Sequence, residues 1–137
     1  MNDEDIALIQ TSWNRLMGRE ELMINSFYRL LFELHPEFES MFTHGWEVQR
    51  LKFITMLNLI VNGLDHLSAL EEPLLELGRK HKHLNIDLED YEQVNKILVR
   101  AIDEGSGKPL SDAEKTAWMN GLTLVSQIMD KESGDHS

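Results

Sequence analysis

Apolar residues recur at spacings of three and four along nearly the whole chain. Ile6, Ile9, Trp13 and Leu16 form one stripe, and Ile24, Tyr28 and Leu31 form part of a second. Leu51, Ile54, Leu57, Ile60 and Leu64 form a third, and Leu67, Leu70, Leu74 and Leu77 a fourth. Val94, Ile97, Leu98, Ala101 and Ile102 make a fifth, and Gly121, Leu124, Val125 and Ile128 a sixth. A period near 3.6 is that of a helix burying one face. Alternation of period two is scarce, so the pattern predicts an all-α protein.

The breaks fall at helix stops and starts. Asn2 or Asp3 offers an N-cap, Gly18 divides the first two stripes, and Pro36 ends a second helix where a short third can begin. Thr43-His44-Gly45 reads as a brief loop, Asp87 to Asp90 place acids at a helix start, and EGSGKP at 104–109 is a clear loop. Ser111 and Glu114 then form a capping-box pair. The reading is five long helices plus one or two short ones, with an ordered core over about 3–131 and a polar tail from 133 to 137. In the helix expected over 47–65, Lys52, Thr55, Asn58, Asn62 and Asp65 form only a narrow polar strip. Such a helix is expected to lie inside the molecule, covered on more than one side.

At 137 residues the chain suits one domain with room for a core and an internal pocket. Thirteen Lys and Arg against twenty-four Asp and Glu give a net charge of −11. That charge argues against nucleic acid or an anionic membrane as partner. There is no cysteine, which excludes disulfides, thiolate nucleophiles and cysteine metal sites. The acidic start does not resemble a signal peptide, and no apolar run approaches a membrane span, so a soluble cytoplasmic protein is expected.

Chemistry concentrates near LLELGRKHKHLNI, residues 74–86. Leu67, Leu70, Leu74, Leu77 and His81 step by 3, 4, 3 and 4, within an arc of about 80° on an ideal helix. His81 therefore points toward the core, whereas Arg79, Lys80 and Lys82 lie off that line at a helix C-terminus that favours cations. An inward histidine is commonly satisfied by a backbone carbonyl. A catalytic dyad lacks a nucleophile motif, and no HExxH zinc helix is present. A metal with one clear protein ligand would be one already held by a cofactor, as haem iron is. Tyr28 lies in the second stripe, and its hydroxyl needs an inward partner or a carbonyl. Gln49 shares a face with Phe53, Met56 and Ile60 but sits near a helix start, where exposure is equally open.

With these residues in place, the chain resembles a globin, specifically the single-domain bacterial type related to the haem domain of flavohaemoglobins. The resemblance runs from about residue 3 to 131. GRKH at 78–81 matches the end of the helix carrying the proximal histidine, and LSALEEPLLELGRKH also resembles the corresponding stretch of neuroglobins. Pro36 and Phe42 match the segment delivering a haem-packing phenylalanine. Tyr28 lies 14 residues before Phe42, Gln49 lies 32 before His81, and Tyr91 lies ten after it, all in the family's register.

The resemblance implies a globin fold and haem b as cofactor. His81 would ligate the iron, and Tyr28 and Gln49 would face a diatomic ligand: oxygen, nitric oxide or carbon monoxide. Phe53 would stand beside them, and Phe42, Leu57, Leu77, Ile86, Tyr91 and Val94 would line the macrocycle. Lys52, Lys80 and His83 would be candidates to meet the propionates, although each also reads as an ordinary surface cation. A glutamate that completes a proximal network in flavohaemoglobins falls in register at Ser133, with Glu132 one residue off. The implied function is high-affinity oxygen binding. The alternative is nitric oxide dioxygenase-type detoxification served by a separate reductase, since no GxGxxG loop occurs in these residues. A gas sensor ranks lower, and a haem-free structural module lower still. Oligomeric state is not legible.

Overall fold

The computed structural model describes residues 1–42, 46–82 and 86–134. In these residues six α-helices run in order: α1 (Asp3–Leu16), α2 (Glu20–Leu34), α3 (Trp46–Asn62), α4 (Leu67–Lys82), α5 (Leu88–Gly105) and α6 (Asp112–Gly134). Short 3-10 helices span Pro36–Phe42 and Leu64–His66. There is no strand among the described residues, as the apolar period required. Among the described residues the long helices number six, one for each apolar stripe, where five were expected. The third and fourth stripes lie on separate helices, as expected, and these meet at a bend of 62° around Gly63.

Local chemistry sets the boundaries. The side chain of Asn2 accepts a hydrogen bond from the Asp5 amide at 2.9 Å, capping α1. Gly18 holds φ at +88°, the left-handed turn that separates α1 from α2. Asp87 and Asp90 exchange side-chain bonds with each other's amides to start α5. Ser111 and Glu114 do the same before α6, at 3.1 and 2.9 Å. The expected loop at Thr43-His44-Gly45 lies outside the described residues.

α2 packs on α5, and α6 packs on α1, α4 and α5. Trp13 and Trp118 meet in the core with ring centroids 6.1 Å apart. Their ring nitrogens donate to Asn58 at 2.9 Å and Ser12 at 2.8 Å, so neither indole is buried unsatisfied. No single helix among the described residues is long and apolar enough to cross a membrane.

One expectation fails. The α3 helix is not enclosed. Leu57, Ile60 and Val61 are buried, but Val48, Leu51 and Leu59 are 57%, 66% and 46% exposed. Among the described residues the helix packs on α1 and α2 at the edge of the bundle. A wheel counts apolar side chains but cannot say which of them a neighbour will cover.

Candidate functional site

His81 stands on the last turn of α4, half-buried, where the apolar stripe placed it. Its Nδ1 lies 2.8 Å from the carbonyl oxygen of Leu77. A carbonyl only accepts, so Nδ1 carries the proton and donates it. In the neutral ring this bond sets the tautomer that keeps the Nε2 lone pair for a metal. The core-histidine and ligand readings prove compatible, because one ring nitrogen satisfies each.

The Tyr91 ring lies 5.8 Å from the His81 ring at 48°. The Tyr91 hydroxyl is buried without a hydrogen-bond partner among the described residues. Burial, reinforced by the Asp130 carboxylate of α6, pushes this phenol up to about 12. Leu77, Ile86 and Val94 are half-buried and pack on the core. Gly78 fixes where this wall stands. A side chain there would reach within 2.9 Å of the Met129 carbonyl carbon, so α4 lies directly on the backbone of α6. Only a residue without Cβ permits that approach three positions before His81.

The second cluster joins α2 and α3. Tyr28 is 4% exposed. Its ring centroid lies 5.3 Å from Phe27, 5.9 Å from Phe32 and 6.1 Å from Phe53. Phe27 and Phe53 are 4.8 Å apart, which ties the two helices together. Burial pushes the Tyr28 phenol up to about 12, against a smaller opposing effect of the Arg50 charge. Tyr28 therefore keeps its O–H at any physiological pH and can donate a hydrogen bond. Leu57 is buried on α3.

Other expected site residues are not enclosed. Gln49 is exposed on the first turns of α3, as are Lys52 on α3 and Lys80 on α4. His83 and the side chains of Phe42, Glu132 and Ser133 lie outside the described residues. Two side chains escaped the sequence reading. Arg50 donates to Glu21 at 2.8 Å and to Asn25 at 2.6 Å, joining α3 to α2. Asp130 is the α6 carboxylate whose charge reaches Tyr91. Among the described residues no group of three or more His, Asp or Glu could hold a bare metal ion. A single inward imidazole, with the Tyr91 ring and its buried hydroxyl beside it, is a donor set suited to a metal already held by a macrocycle rather than to a bare ion.

Comparison with known proteins identifies the family. The chain is 26% identical to a neuroglobin of Dissostichus mawsoni, over 96% of this chain and 91% of that one. It is 27% identical to a flavohemoprotein of Bacillus thuringiensis subsp. konkukian, over 91% of this chain but 31% of the relative. Among solved structures, an engineered carbene transferase from Rhodothermus marinus, named as a candidate nitric oxide dioxygenase, superposes with a TM-score of 0.85. It has 23% identity, over 99% of this chain and 96% of that one. A bacterial globin from Campylobacter jejuni gives 0.79 at 22% identity, over 96% of each chain. These structures establish the fold, and the globin family model matches residues 25–129. Fold, match and imidazole geometry lead to one conclusion: the chain belongs to the globin family.

Proposed function

We propose that this globin binds haem b and uses it to hold oxygen with high affinity, with His81 as the iron ligand and Tyr28 as the hydrogen-bond donor. The observation carrying the proposal is the His81 Nδ1 bond to the Leu77 carbonyl, which orients the ring and frees Nε2. When bound, haem supplies an iron centre for diatomic ligands. The chain supplies the rest. His81 Nε2 would hold the cofactor, and Tyr91, Leu77, Ile86 and Val94 would pack against it. Tyr28, whose ring lies against Phe53, would offer a protonated phenol to the bound ligand, with Leu57 adding apolar lining. Gln49 can add an amide donor when it turns inward. Lys52 and Lys80 are exposed cations available to carboxylates at the rim.

A donor to a charged acceptor contributes about 1.5–3 kcal/mol, or roughly 10- to 150-fold in affinity. Slow oxygen release follows, which suits retention rather than rapid delivery. The test is titration with haemin followed by an oxygen off-rate. One equivalent bound with a Soret band and slow release supports the proposal, and a colourless protein rejects it.

A second reading is nitric oxide dioxygenase-type detoxification with electrons from a separate reductase. It is favoured by similarity to a flavohemoprotein and to a structure named as a candidate nitric oxide dioxygenase. Sustained nitrate formation from nitric oxide and oxygen when a reductase is added distinguishes it from binding alone.

A further inference from the structure

The α3 helix carries Gln49, Lys52 and Phe53 in its first half, yet it lies at the edge of the bundle. Its second half is tied to α1. Gln10 donates to the Val61 carbonyl at 3.0 Å, and Trp13 donates to Asn58 at 2.9 Å. Its first half is tied to α2 by the Arg50 guanidinium, which reaches both Glu21 and Asn25. Glu21, Asn25 and Tyr28 lie at i, i+4 and i+7, so they share one face of α2. Arg50 and Phe53 lie at i and i+3 on α3. The two helices thus meet in register: a polar clasp at one end, then the Phe53 contact with Phe27 and Tyr28.

We infer that Arg50 is a positioning residue of the distal wall: by clasping Glu21 and Asn25 it holds the first turns of α3 over Tyr28 and so limits ligand passage. This rests on the haem reading above. The Arg50 side chain is only 16% exposed, whereas that of Glu21 is 79% exposed. The clasp is therefore partly desolvated on one side and open to solvent and salt on the other. Arg50 also lies near enough to Tyr28 for its charge to oppose, in small part, the upward push of burial on that phenol. A contact of this kind opens locally at low cost, and such openings gate buried sites.

The experiment measures carbon monoxide association, oxygen dissociation and amide exchange over residues 47–53 in the haem-loaded chain. Arg50→Ala is expected to raise both ligand rates about three- to tenfold, since a partly exposed ion pair and the hydrogen bond to the Asn25 amide oxygen are lost together. Exchange over 47–53 should quicken while the amides of α6 stay protected. Glu21→Gln should move both readouts the same way by less, and about 0.5 M salt should do so in the wild type but not in Arg50→Ala. Exchanging the charges, Arg50→Glu with Glu21→Arg, should recover part of the loss. A general loss of stability would not respond selectively to salt, nor recover on charge exchange.

Glu21→Gln and salt loosen the clasp without removing a buried group, so the test does not depend on Arg50→Ala folding. Wild-type rates and exchange under both perturbations, in protein with a full Soret band, overturn the inference while leaving the haem reading intact. Wild-type protein without a Soret band would instead reject the haem reading itself.

Discussion

Replacing Tyr28 with phenylalanine removes one oxygen atom and little else. The ring is packed at 5.3–6.1 Å from Phe27, Phe32 and Phe53, so phenylalanine can occupy the same place without leaving a ring-sized cavity. What disappears is a donor that stays protonated far above neutral pH, because burial holds the phenol near 12. A hydrogen bond to a charged acceptor in a water-poor site contributes about 1.5–3 kcal/mol. If nearly all of it is expressed in release, oxygen dissociation accelerates roughly 10- to 150-fold. Stopped-flow displacement of oxygen by carbon monoxide reads this directly. The wild-type off-rate should also stay flat from about pH 6 to 9, since no Tyr28 titration enters that window. An off-rate within twofold of wild type in Tyr28→Phe would show that the phenol does not face the ligand.

Further outcomes follow from the packing. Glu114 is held down from its ordinary value near 4.5 to about 2, first by its hydrogen bond with Arg15 and then by Ser111. Its folded-state value is depressed, so its stabilising effect is complete above about pH 4.5 and is lost as pH falls toward 2. The size is about 3 kcal/mol, and urea unfolding across that range should show a decline that Glu114→Gln flattens. Gly78→Ala should cost about 1–3 kcal/mol by forcing α4 off α6. It should also shift the iron–histidine stretching band in resonance Raman spectra, whereas an unchanged band and melting temperature would refute the close approach.

Much of this was legible in the chain because helix periodicity is local. The stripe from Leu67 to Leu77 pointed His81 inward, and the Ser111–Glu114 capping box stood as written. Tyr28 was legible for the same reason, being a phenol in an apolar stripe. Tertiary partners were not. Arg50 finds Glu21 and Asn25 at separations of 29 and 25 residues, which no periodic pattern encodes. Asp130 was missed because register with relatives drew attention to 132 and 133. The exposure of Val48 and Leu51 depends on which elements lie beside α3, a property of topology rather than composition. Gln49 shows the same limit, since its face was readable but its cover was not. The Leu77 carbonyl was within reach of a sequence reading, because it lies one turn before His81 and a side chain at a helix end can bond back to i−4.

The most direct test removes the imidazole and supplies it again. His81→Gly, offered haemin and ferrous reductant, should lose the five-coordinate histidine signature and the iron–histidine stretch, and added free imidazole should restore the spectrum. A wild-type ferrous spectrum in His81→Gly without imidazole would contradict the assignment of His81 as the iron ligand.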